Sequence, residues 1–145
     1  MSFVVDANVV VKWFVEEDHH EQARDLLRSD DTLLAPDLMV LEITNVVWKK
    51  TVRGEIDHAQ AAIIAAAIRQ GEPQLYPSTE FSERALEMAL SLNHPIYDCV
   101  YLACAEQFDA PLITADQRLC KAAANTEFES LVRDLRDGRP GTPPP

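Results

Sequence analysis

The order in which short apolar runs alternate with longer helix-patterned segments constrains this chain most. SFVVDA opens with a continuous apolar run closed by Asp6, TLLAP repeats the pattern up to Pro36, QLYP is a weaker third instance and APLITAD a clear fourth. Such runs, separated by helices, read as strands covered on both faces. VVVKWFVEEDHHEQARDLLRSD reads as a helix-rich region, with Ala23, Leu26 and Leu27 three and four apart in its best part. PDLMVLEITNVVWKKTVRG starts at Pro36 or Asp37, carries cations near its end and stops at Gly54. DHAQAAIIAAAIRQG has Asp57 as N-cap and Gly71 as stop, and STEFSERALEMALSLN opens with Ser78 or Thr79 as a capping box. IYDCVYLACAEQF and QRLCKAAAN are two further short helices, and EFESLV is a last strand candidate. Strands alternating with helices predict an α/β domain with a mainly parallel sheet.

The length of 145 residues is that of one domain, expected over residues 1–136, with the Pro- and Gly-rich DGRPGTPPP at 137–145 as a disordered tail. The longest apolar runs fall far short of the roughly 20 residues of a membrane span, and no basic, signal-like segment precedes the first strand. A cytoplasmic protein is expected. Cys99, Cys104 and Cys120 form no C-x-x-C pair and lie in apolar helical patterns, as buried reduced thiols do. The formal net charge of -11 argues against non-specific binding of nucleic acid. It leaves a basic partner, or a local cluster of carboxylates that holds metal.

Four acids stand where apolar residues are expected. Asp6 ends the first strand and Asp116 the clearest later one, and ligands of parallel sheets bind just beyond such strand ends. For each, the plainer role is a helix N-cap. Glu42 has Leu38, Met39, Asn45 and Val46 as helical neighbours, so it either sits in an apolar stripe or reaches solvent at its edge. Asp98 shares a face with Tyr101, Leu102 and Ala105, or simply complements a helix N-terminus. Together, four converging carboxylates would repel one another by several kcal/mol, raising pKa values unless a cation is bound. All-oxygen ligation suits Mg²⁺ or Mn²⁺, whereas zinc favours His and Cys.

With these residues in this order, the chain resembles the PIN-domain nucleases, and most closely the VapC-type toxins of toxin-antitoxin pairs. VVDANVVVKWF is similar to the family's first strand with its Asp, here Asp6, and a small polar residue, here Asn8. APDLMVLEITNVVWKK looks like the helix with the family's Glu, here Glu42. HPIYDCVYLACAEQFDAPLITADQRL is similar to the block that supplies Asp98, Asp116 and the supporting hydroxyl of Thr114. The resemblance implies a three-layer α/β/α sandwich, a Mg²⁺- or Mn²⁺-dependent endoribonuclease acting on RNA, a cognate antitoxin and a homodimer.

On that reading Asp6 and Asp98 are direct ligands, Glu42 ligates through water or takes its proton, and Asp116 lies farther out. Asn8 and Thr114 would fix these carboxylates, or serve turn and strand. His94, in the turn signal NHP, reads as a loop histidine rather than a base, and Glu16, Glu17 and Asp18 as a solvated face. Lys12, Lys49, Lys50, Arg53, Arg118 and Lys121 are the candidates for a track along RNA phosphates. A basic antitoxin segment could enter the same acidic pocket and displace metal. Two rivals are a haloacid-dehalogenase-like phosphatase, which needs a second Asp where this chain has Asn8, and a catalytically silent PIN-like binding module.

Overall fold

A computed structural model describes residues 1–138. Its five strands are β1 (Ser2–Val5), β2 (Thr32–Pro36), β3 (Gln74–Tyr76), β4 (Leu112–Thr114) and β5 (Val132–Asp134). They form one sheet in the order β3-β2-β1-β4-β5, and every ladder is parallel. The helices are α1 (Ala7–Val10), α2 (His20–Arg28), α3 (Leu38–Val52), α4 (His58–Ala67), α5 (Ser82–Leu92), α6 (Ile96–Phe108) and α7 (Gln117–Ala123). The result is the expected three-layer α/β/α sandwich. Phe3, Val4 and Val5 are buried, as a central strand covered on both faces requires. No helix among the described residues is long and apolar enough to cross a membrane.

The chain lays β2 and β3 outward on one side of β1, then returns to place β4 and β5 on the other. The strand order therefore reverses between β1 and β4, the point at whose carboxyl ends parallel sheets form their ligand crevice. Asp6 follows β1 and Thr114 ends β4, so both border this crevice. Asp6 N–H also donates to Ile113 carbonyl at 3.1 Å, carrying the β1–β4 ladder up to the carboxylate itself.

Several local expectations change for identifiable reasons. The helix-rich segment after Asp6 breaks between Trp13 and His20, where His19 takes a left-handed conformation at φ 67°. Ser78 does not cap its own helix: its Oγ accepts from Leu38 N–H at 2.7 Å, while Asp37 Oδ1 accepts from Ser78 N–H at 3.0 Å. The expected capping box thus caps α3 from 40 residues away. Asp57 and Gln60 do form a box on α4. EFESLV is not a strand over its length: 129–131 is a 3₁₀ turn and pairing begins at Val132, because Phe128 is drawn into the core just before it. Cys99 and Cys104 are buried, Cys120 only partly so, and all three are free thiols. Asp137 closes the last 3₁₀ turn. Of the expected tail, 139–145 lies outside the described residues.

Candidate functional site

Asp6 resolves the ambiguity of its position by dividing the two roles between main chain and side chain. Its carbonyl accepts from Val9 and Val10 N–H and so starts α1. Its side chain turns to β4, where Oδ2 accepts from Thr114 Oγ1 at 2.8 Å. A threonine hydroxyl has one proton and two lone pairs. Asn8 Nδ2 at 3.3 Å and Asp116 N–H at 3.0 Å both donate to Thr114 Oγ1, so its own proton is left for Asp6. Asn8 is fixed in turn, since its Oδ1 accepts from Ala115 N–H at 3.1 Å. Thr114 is fully buried and Asp6 nearly so, which strengthens the bond between them.

Glu42 lies half-buried on α3, at the edge of the stripe made by Met39, Ile43 and Val47. Tyr101 Oη, from α6, donates to Glu42 Oε1 at 2.6 Å. Asp98 occupies the first turn of α6, and His94 Nε2 lies 2.7 Å from its Oδ2. Each of these carboxylates therefore has one oxygen held by a side-chain donor: Thr114 for Asp6, Tyr101 for Glu42, His94 for Asp98. The other oxygen of each has no side-chain donor among the described residues.

The charge of Asp98 acts on both Asp6 and Glu42, and that of Glu42 on Asp6. Burial, reinforced by the charges of Asp98 and Glu42 and opposed by the Thr114 hydroxyl, pushes the Asp6 carboxyl from 3.8 up to about 7. Burial also raises Glu42, with Tyr101 opposing and Asp98 adding to the shift. Tyr101 is held well above its ordinary value by burial and by the charges of Asp6 and Glu42, which keeps its proton available to donate. Asp116 stands apart. Its Oδ1 accepts from Arg118 N–H at 2.9 Å and caps α7, and it is not among the charges that act on Asp6 or Glu42.

Among the described residues, no three His, Cys, Asp or Glu side chains close tightly enough to enclose an ion by themselves. The donor chemistry nevertheless fits a hard divalent cation: oxygen atoms only, excess negative charge, and carboxylates whose protonation is favoured in its absence. Mg²⁺ commonly keeps several waters and takes only one or two carboxylates, so an open set of this kind suits it.

A family model for the PIN domain matches residues 3–125. The chain belongs to the PIN-domain family. The protein named Ribonuclease VapC3 of Pyrobaculum aerophilum is 28% identical over 134 residues, 91% of this chain and 98% of that one. Ribonuclease VapC1 of Mycobacterium tuberculosis is 32% identical over 101 residues, 68% of this chain and 74% of that one, which places this PIN domain in the VapC group. Among solved structures, a toxin-antitoxin complex from Klebsiella pneumoniae shares the fold, with TM-score 0.65 and 16% identity over 92% of this chain and 97% of that one. The family match sets aside the phosphatase alternative, and position 8 agrees: both ends of the Asn8 amide are engaged with Thr114 and Ala115.

Three residues of this PIN domain escaped the sequence reading. His94 lies in the link that NHP signals, but its ring holds Asp98, for which the spacing of four was the available signal; Tyr101 holds Glu42, for which the sequence carried none. Glu17 is the third. It is not part of a solvated face but half-buried, bridging Lys12 at 3.0 Å and Lys50 at 3.2 Å, and those two cations hold its carboxyl below the usual range. Lys12 is itself buried, and Lys50 also pairs with Glu55. The candidate phosphate track thereby loses Lys12 and Lys50 to an internal clasp. Lys49, Arg53, Arg118 and Lys121 are exposed and make no ion pair among the described residues.

Proposed function

We propose that this PIN domain is a Mg²⁺- or Mn²⁺-dependent endoribonuclease, the toxin of a toxin-antitoxin pair. The observation that carries the reading is the trio Asp6, Glu42 and Asp98, each with one oxygen pinned, in a crevice where Asp6 is pushed to about 7. Buried negative charge of this kind is costly unless neutralised, and its donors are those a hard cation selects. The names of the VapC relatives and the toxin-antitoxin title of the structural neighbour support the same activity and setting.

Asp6 and Asp98 would hold the ion, with Glu42 beside them and Asp116 at the rim. Held there, a divalent ion would lower the pKa of a water and neutralise charge on the phosphoryl oxygens. Glu42, whose raised pKa brings it closer to the working range of a base, takes the proton of the attacking water at the oxygen Tyr101 leaves open. Thr114 and Asn8 hold Asp6 still, so that it need not reorganise during the reaction. Lys49, Arg53, Arg118 and Lys121 bind phosphates of the RNA on either side of the cut.

The antitoxin docks through apolar and basic chemistry. Leu41, Trp48 and Val52 recur along the outer side of α3 at 71%, 62% and 69% exposure, and Ile63 of α4 is equally open. An exposed apolar row of this kind suits a partner, and the net charge of -11 favours a basic partner segment. A homodimer belongs to the same reading, with Leu86 and Leu90 on α5 and Tyr97 on α6 as further exposed apolar side chains.

The test is a panel of defined RNAs incubated with wild type and Asp98→Asn, with and without Mg²⁺ or Mn²⁺. Cleavage that requires both the ion and Asp98 is the expected result. Binding without cleavage of any RNA would leave a silent binding module, and cleavage unchanged in Asp98→Asn would end the proposed mechanism.

A further inference from the structure

We infer that His94 is a positioning residue that fixes the Asp98 carboxylate and, through it, sets the affinity of the acidic pocket for a divalent cation. The inference rests on the metal-dependent reading above. His94 lies in the three-residue link between α5 and α6, outside both helices. Its main chain is held on either side: Asn93 ends α5 at φ 49°, His94 N–H returns to Ala89 carbonyl at 3.2 Å, and Pro95 restricts the step into α6. The ring is delivered from a fixed backbone.

The contact is specific in its chemistry. Nε2 stands 2.7 Å from Asp98 Oδ2, the length of a charge-assisted hydrogen bond, with the His94 side chain 9% exposed and that of Asp98 26%. A carboxylate that binds a cation only accepts, and in that pairing Nε2 contributes its N–H. With that nitrogen engaged by Asp98, the role of His94 is to hold rather than to ligate. What it does is hold Oδ2 and leave Oδ1 as the oxygen of Asp98 without a side-chain donor among the described residues. Thr114 and Tyr101 treat Asp6 and Glu42 in the same manner, from different elements. Donors that orient ligating carboxylates typically carry about 10- to 100-fold of metal affinity.

The experiment measures Mn²⁺ binding to the full chain by electron paramagnetic resonance for wild type, His94→Ala, His94→Gln and Asp98→Asn, with a thermal melt of each. The Gln amide nitrogen can replace Nε2–H as the donor. Expected are a loss of about 10- to 100-fold in Mn²⁺ affinity for His94→Ala, recovery to within a few fold for His94→Gln, and for RNA cleavage a fall in kcat with little change in KM. If both His94 variants bind Mn²⁺ like wild type while Asp98→Asn does not, His94 has no positioning role and the metal reading stands. If wild type takes up no Mn²⁺, the metal reading has failed and this inference falls with it. Equal losses in Ala and Gln variants with unaltered melting would also overturn it, because the donor would then be irrelevant.

Discussion

Thr114 Oγ1 lies 2.8 Å from Asp6 Oδ2, although 108 positions separate the two residues in the chain. The parallel pairing of β1 with β4 makes the contact, since it brings the ends of both strands to one side of the crevice. Thr114→Val keeps the shape but leaves the Asp6 carboxylate, Asn8 Nδ2 and Asp116 N–H without their shared partner. Urea unfolding is expected to show a loss of about 1–3 kcal/mol, most of it recovered in Thr114→Ser.

Asp6 makes the ion-free protein more stable toward acid over part of the pH range. Its native carboxyl binds protons up to about 7 and its unfolded one only up to 3.8, so the native state carries more protons in between. The stability it contributes is complete below 3.8 and is lost as pH rises through 7. Between pH 8 and pH 5 in chelator, wild type should gain about 2–3 kcal/mol from this group, with Glu42 adding in the same direction. Asp6→Asn should flatten that slope and be the more stable protein at pH 8, as chemical denaturation across the range will record.

Tyr101→Phe isolates one hydrogen bond from the packing around it. The ring stays in the core while the donor to Glu42 Oε1 is gone. RNA cleavage is expected to fall by about 10- to 100-fold, the value of a hydrogen bond to a charged group, with RNA binding unchanged. Steady-state kinetics and a binding titration on the same RNA check both halves.

Asp6 stood out in the sequence as a carboxylate closing an apolar strand, and Glu42 and Asp98 as carboxylates beside apolar helical positions. The holders of Glu42 and Asp98 did not, because a tyrosine in an apolar helix and a histidine before a proline are ordinary, and only the tertiary structure aims them at these carboxylates. The alternation of strands and helices carried the fold, since burial on both faces leaves a continuous apolar run in β1 and β4. What failed were features whose partner is distant. Ser78 looked like a cap for its own helix and serves α3; Glu17 looked solvated and clasps Lys50 on α3.

Asp116 illustrates a residue where the plainer role is visible and the other is still proposed. Its side chain caps α7 through Arg118 N–H. Asn caps as well as Asp, so Asp116→Asn should retain stability, while Asp116→Ala should lose about 1 kcal/mol by thermal or urea unfolding. If Asp116 also acts at the rim of the site, Asp116→Asn will lower cleavage, by less than Asp98→Asn does.

Asp6 is a buried carboxylate whose charge a divalent cation would stabilise. Carbon-detected NMR of the Asp6 carboxyl, titrated with pH in chelator and again in Mg²⁺, reads this directly. The account predicts a midpoint near 7 without the ion and a clear displacement to lower pH with it. A midpoint in the ordinary aspartate range, unmoved by Mg²⁺, would contradict it.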